Sequence, residues 1–296
     1  MILLIVTSLI SIFLYTGDLS EQIIIEKYQT PNSQFLKIGG QKIHFTRHGK
    51  GDQMILLHGS GQSFKVFDGI SPMLSAHFEV FAVDLPGFGL SNNQAQKELS
   101  TSYYIEFLNK FMKKLNISRP ILIGTSLGGK IAWRYALKYP ESTKSLILLA
   151  PGGTAKRKGP AFLKHLISFS PARSILSKIG PRELILFNYM NSCNEKLSIQ
   201  KFNEFYDIFL KQGNRAAFYN NWDAASSELM DLFPISDIPT LLIWGKEDKL
   251  ISIKEADKIS SYFSNIVVKK FNNLGHFSVE EDPKLIFKNI KEFLIP

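Results

Sequence analysis

The stretch Ile121–Trp133, ILIGTSLGGKIAW, constrains the fold of this chain more than any other. A short apolar run ends at Thr125, small residues follow, and a helix-forming run starts at Leu127. Glycines at 124 and 128 flank Ser126 at minus two and plus two. Those are the positions where side chains collide when a strand folds sharply onto a helix. A serine in such a turn is held in a strained backbone conformation, which lifts its Oγ clear of the main chain.

The rest of the chain repeats this alternation. Apolar, β-rich runs occur at 53–59, 79–87, 120–126, 144–153, 239–248 and 266–271. Segments with helical spacing occur at 103–115, 127–140, 253–263 and 283–295, the last opening on Pro283. Residues 41–49 alternate like an early edge strand. Near-continuous apolar strands interleaved with helices predict an α/β fold, a parallel sheet covered on both faces. The rhythm breaks between about Gly153 and Pro234, where the pattern is helical throughout. The reading is therefore a core at 35–152 and 235–296 with a helical cap inserted at 153–234.

The single cysteine, Cys193, excludes an intrachain disulfide and any cysteine-based metal cluster. Net charge is +9, and much of it is local: Lys156, Arg157, Lys158, Lys164, Arg173, Lys178 and Arg182 lie between 152 and 182 with no Asp or Glu among them. This reads as a solvated basic face or one drawn to an anionic membrane surface. No nucleic-acid-binding motif accompanies it. Residues 1–17 carry no charged side chain before Asp18. An apolar run of this length predicts an N-terminal anchor or signal over 1–20, hence a membrane-anchored or exported protein, with a cytosolic apolar extension as the alternative. If that run anchors the chain, the apolar face of 161–169 beside the basic cluster would dock on a bilayer.

A serine hydroxyl is a poor nucleophile unless a base takes its proton and a third group orients that base. Of six histidines, His276 follows the last strand and precedes the last helix, which puts it at the same sheet edge as Ser126. His58 also ends a strand, where a structural hydrogen-bonding role is expected. His44, His48 and His77 fall on early strands or the surface, and His165 lies in the insertion. The acid is expected at Asp248, after the strand that begins near Thr240. Glu247 competes for the role, and Asp223 and Asp231 in the insertion are weaker. Asp84, beside the Pro86–Gly87–Gly89 turn, reads as a loop-ordering acid. An oxyanion formed at Ser126 needs fixed N–H donors. The amide of Leu127 is one, and that of Ser60, in HGSG (58–61), is the other.

With LLHGSG, DLPGFGLS, GTSLGG, LLIWGKEDKL and LGHF in this order, the chain from about 35 to 296 resembles the α/β-hydrolase fold superfamily. The resemblance implies an eight-stranded, mostly parallel sheet with a helical cap inserted after the sixth strand. It supports Ser126 as nucleophile, Asp248 as acid and His276 as base, with no cofactor and no metal. Serine at the turn argues against haloalkane dehalogenases and epoxide hydrolases, which carry aspartate there. Esterases, monoacylglycerol-type lipases, thioesterases, proline iminopeptidases and meta-cleavage carbon–carbon bond hydrolases remain. The last group more often has Asn and Met around the serine, where this chain has Thr125 and Leu127.

The expectation is a serine hydrolase for a carboxylic ester. Carbon–carbon bond hydrolysis and a non-catalytic ligand-binding role stay open. Aromatic residues of the insertion, among them Phe162, Phe187, Tyr189, Phe202, Phe209, Phe218 and Trp222, are expected to pack its own core and partly to roof an apolar pocket. The partner expected is thus a small apolar or amphiphilic ester.

Overall fold

Runs rich in Ile, Leu and Val form the strands of one sheet, because both of its faces are covered. The computed structural model describes residues 15–92, 99–154, 174–175, 177–194, 197–227 and 233–295. The strands are β1 (Ser33–Ile38), β2 (Gln41–His48), β3 (Gln53–Leu57), β4 (Glu79–Val83), β5 (Ile121–Thr125), β6 (Ser145–Leu149), β7 (Thr240–Gly245) and β8 (Ile266–Phe271). They form one eight-stranded sheet in the order β1-β2-β4-β3-β5-β6-β7-β8. β1 and β2 pair antiparallel, as do β2 and β4, and every other pair is parallel. The α/β reading therefore holds. The run at 41–48 is not the edge strand expected from its alternation. β1 covers it, and five of its eight residues are buried.

The helices before the insertion are α1 (Glu21–Tyr28), α2 (Ser71–Ser75), α3 (Thr101–Lys114) and α4 (Ser126–Lys138). Those within and after it are α5 (Arg182–Asn191), α6 (Ile199–Phe209), α7 (Asn214–Ser227), α8 (Glu255–Ser260), α9 (Ser278–Glu281) and α10 (Pro283–Leu294). α3 shows why they form. Ser100 caps its first turn by accepting from Tyr103 N–H at 3.2 Å, and Tyr104, Leu108 and Phe111 are buried on one face. α10 starts the same way, on Asp282 and a first-turn proline.

Two apolar layers sandwich the sheet. Trp133, Ile131, Tyr104, Phe111, Ala256 and Ile259 lie in one, Phe64, Phe67, Leu74, Ile24, Ile286 and Ile290 in the other. Successive β5 residues alternate between them, Leu122 to the first and Ile121 and Ile123 to the second.

Between β6 and β7 the described residues are helical, α5 to α7, and carry their own core of Tyr189, Cys193, Leu197, Phe202, Tyr206 and Leu210. The apolar stretch 161–169, His165, the basic residues 156–158, 164 and 173, and Asp231 lie outside the described residues.

The expectation of a membrane-anchored or exported protein is overturned. No helix among the described residues is long and apolar enough to cross a membrane. Residues 1–14 of the apolar run lie outside the described part. From Tyr15 onward the chain is a strap on the insertion. Thr16 N–H donates to Lys178 O at 2.9 Å, and Leu19 N–H to Leu210 O at 2.8 Å. Asp18 pairs with Lys178 and with the buried Arg215.

Candidate active site

The turn at Ser126 is as tight as its glycines require. A Cβ on Gly124 would meet Gly128 O at 2.4 Å, and one on Gly128 would meet Leu57 O at 2.0 Å. Ser126 itself has φ +51°, the left-handed region, which costs a non-glycine residue about 1 kcal/mol or more. Ser126 opens α4, so the N–H of Leu127 lies in the first turn, where no carbonyl of the helix can accept it. The next amide, Gly128 N–H, donates to His58 O at 3.0 Å and so ties this turn to the loop after β3.

β7 and β8 lie beyond β6 in the same parallel part of the sheet, so the loops that follow them emerge at the edge where β5 delivers Ser126. Gly245 lets them converge, since a Cβ there would meet Leu274 O at 2.0 Å. Asp248 Oδ2 accepts from His276 Nδ1 at 2.8 Å, and both side chains are almost fully buried. Three more N–H groups aim the carboxylate. Trp244 Nε1 donates to Oδ2 at 3.1 Å, while Leu250 and Ile251 N–H donate to Oδ1 at 2.9 and 2.8 Å. With Nδ1 committed to Asp248, the imidazole has Nε2 left to exchange a proton. Glu247, one residue away, is exposed, and it is Asp248 that meets the ring.

The loop 58–61 packs against Ser126 from the other side. A Cβ on Gly59 would lie 3.2 Å from Ser126 Cβ. Gly61, at φ +77°, faces the insertion, where the Phe218 ring would be 3.1 Å from a Cβ. Ser60 Oγ donates to Asn221 Oδ1 of α7 at 3.2 Å. His58 is locked in one neutral tautomer. Its Nδ1–H donates to Gly59 O at 2.7 Å, and its Nε2 accepts from Leu85 N–H at 3.0 Å. Burial pushes its pKa down, so it holds backbone together rather than a proton.

Asp84 accepts from Phe64 N–H, Leu90 N–H and His44 Nδ1, each at 2.7 Å. His44, read as an early-strand or surface histidine, is fully buried in that cluster. Among the described residues no three His, Cys, Asp or Glu side chains gather as a metal site.

Sequence reasoning missed the contribution of the insertion. Ser192 O, at the end of α5, accepts from His276 N–H at 2.9 Å. Asn194 Nδ2 donates to Asn273 O at 3.0 Å, and Glu281 Oε2 accepts from both Asn194 and Gly275 N–H at 2.9 Å. Of the expected roofing aromatics, Phe209 and Phe218 reach Gly61, Tyr189 and Phe202 pack within the insertion, and Phe187 is exposed. No local pattern announces any of these contacts.

Residues 53–174 match a family model described as alpha/beta hydrolase fold. The human monoacylglycerol lipase ABHD6 is 26% identical over 84% of this chain and 77% of its own length. The 2-hydroxy-6-oxo-6-phenylhexa-2,4-dienoate hydrolase of Comamonas testosteroni is 26% identical over 83% of this chain and 90% of its own. The crystal structure of an alpha/beta hydrolase fold protein from Burkholderia ambifaria superposes with a TM-score of 0.77 at 20% identity. The match covers 90% of this chain and 99% of that one.

Proposed function

We propose that this chain, a member of the α/β-hydrolase fold superfamily, is a serine hydrolase that cleaves a carboxylic ester through an acyl-enzyme. The observation that carries the reading is the 2.8 Å bond from His276 Nδ1 to Asp248, on the sheet edge where Ser126 stands at φ +51°. In this scheme Ser126 Oγ attacks the acyl carbon while His276 Nε2 takes its proton. Asp248 holds the ring in the required tautomer and stabilises the imidazolium. The amides of Leu127 and Ser60 bind the oxyanion. The alkoxide leaves with the proton held on His276. Water then attacks the acyl-enzyme, giving its proton to His276, and Ser126 is released.

The core at 35–152 and 235–296 carries these groups, and the insertion at 153–234 acts as the cap. Phe209 and Phe218 beside Gly61 favour an apolar acyl or aromatic group of modest size. The monoacylglycerol lipase relative supports an ester.

A fluorophosphonate probe is expected to label the folded protein at Ser126, and Ser126→Ala to abolish both labelling and p-nitrophenyl ester turnover. Absence of labelling, or equal turnover by the two proteins, would leave a non-catalytic binding protein as the better reading. A second reading, carbon–carbon bond hydrolysis of a vinylogous diketone, is favoured by the Comamonas testosteroni relative. Faster turnover of such a diketone than of any ester in a chain-length series would establish it.

A further inference from the structure

Gln62 is buried and has no part in the scheme above. It closes the turn at Ser60 from both sides. Its own N–H donates to Gly59 O at 3.2 Å, and its Oε1 accepts from Gly59 N–H at 3.0 Å. That second bond sets the orientation of the side-chain amide, since the reverse would place an NH₂ against an N–H. Nε2 therefore points at Glu280 Oε2, 3.4 Å away, and the other carboxylate oxygen accepts from Tyr189 OH at 3.3 Å.

Glu280 is buried on α9, four residues after His276. The charged groups around it come from several elements. Lys201 Nζ of α6 is 3.9 Å from Oε1, and Lys65 and Glu204 line the same small cavity. Burial pushes the Glu280 carboxyl up to about 7. Lys201 and the Tyr189 hydroxyl oppose that rise, and Asp68 and Glu281 add to it.

We propose that Gln62 is a positioning residue for the oxyanion-binding loop, braced by Glu280, so that the turn at Ser60 and the turn at His276 are locked to one another. The inference rests on the serine-hydrolase reading. A loop with glycines at 59 and 61 has little stiffness of its own, yet an oxyanion donor must be aimed within a fraction of an ångström. Gln62 supplies the missing constraint, and a carboxylate acceptor makes its far bond charge-assisted. A glutamine that only satisfied Gly59 N–H would need no carboxylate behind it.

The test measures kcat and KM for a short p-nitrophenyl ester, with the urea midpoint of each variant. Gln62→Met removes the brace at constant volume. It is expected to lower kcat about tenfold or more, the order expected for a misaimed oxyanion donor, with KM within about twofold. Gln62→Glu keeps an acceptor for Gly59 but sets two carboxyls face to face. They share a proton in acid and repel in alkali, so its kcat relative to the parent's falls from pH 6 to 9. The double variant Gln62→Glu/Glu280→Gln exchanges donor and acceptor and restores the hydrogen bonds to Gly59 N–H, between the two side chains and from Tyr189 OH, so kcat returns to within about threefold of the parent.

Unchanged kcat in folded Gln62→Met overturns the inference. If that variant does not fold, a double variant no better than Gln62→Glu overturns it instead. Fluorophosphonate labelling of the parent separates the two levels. A parent labelled at Ser126 with indifferent Gln62 variants removes the positioning role alone, whereas an unlabelled parent removes the serine-hydrolase reading and this inference with it.

Discussion

Gly128→Ala adds one methyl group at the most crowded point of the turn. Its Cβ would stand 2.0 Å from Leu57 O, 2.4 Å from Leu57 C and 2.7 Å from His58 O. An ordinary contact is about 3.5 Å, so β3 and α4 must separate by about 1.5 Å. The obstacle is backbone in the middle of the sheet, and no rotamer relieves it. Moving α4 also lengthens the Gly128 N–H to His58 O bond, now 3.0 Å. Overpacking of this kind costs about 1–3 kcal/mol, and a lost hydrogen bond about 1 kcal/mol more. The variant is expected to lose about 3 kcal/mol, or about 6–10 °C in Tm for a chain of this size. Thermal unfolding followed by circular dichroism reads it. Gly152→Ala is the control in the same neighbourhood: its Cβ would find Ser126 O at 3.6 Å, ordinary contact. That variant is expected within about 0.5 kcal/mol of the parent. A Gly128→Ala Tm within 1–2 °C of the parent, or a Gly152→Ala loss of equal size, would refute the steric argument.

Further outcomes follow from the same contacts. Asp248→Asn keeps an acceptor for Leu250 and Ile251 N–H and leaves Trp244 Nε1 its bond to Ile251 O at 3.3 Å, but offers Nδ2–H to His276 Nδ1, which reverses the tautomer. Ester turnover should fall about 10³–10⁴-fold with the urea midpoint little moved. Glu280→Gln should stabilise the fold at pH 8 by about 3 kcal/mol, with the gain vanishing by pH 4. The parent's Glu280 is raised by burial to about 7, so its folded form binds a proton that the unfolded chain releases above about 4.5. Urea titrations of both proteins across pH 4–8 check the sign. Burial raises the pKa of Asp18, but its bonds to Lys178 and Arg215 outweigh that, and the net shift is downward. Its contribution to stability is therefore full above the ordinary aspartate range and lost as pH falls through the folded value. In Asp18→Asn the acid limb of the stability curve should be shallower, as measured by Tm between pH 2 and 6.

The α/β class and the turn at Ser126 were legible from the residues alone. Both are local. Strand and helix periodicities are written within ten residues, and the glycines at 124 and 128 report a collision between near neighbours. The apolar N-terminal run was equally local evidence and misled. Composition records that a segment is apolar, while the adjoining residues 15–19 turned out to be a strap held by Lys178, Leu210 and Arg215, some 160 to 200 positions away. The same limit applies around Ser126. Asp248 and Glu247 are adjacent carboxylates, and only the path of the loop after β7 decides which one reaches His276. The burial of His44 against Asp84, and of β2 behind β1, depended on strand order, which no single segment encodes. Ser192 O on His276 N–H, Asn221 on Ser60 and Glu280 on Gln62 each join groups separated by tens to hundreds of residues. The first two exist because the insertion folds back over the sheet edge, and the third because the loops after β3 and β8 meet at that edge. Buried polar groups must then find partners wherever the packing brings them, and that is a property of the folded chain alone.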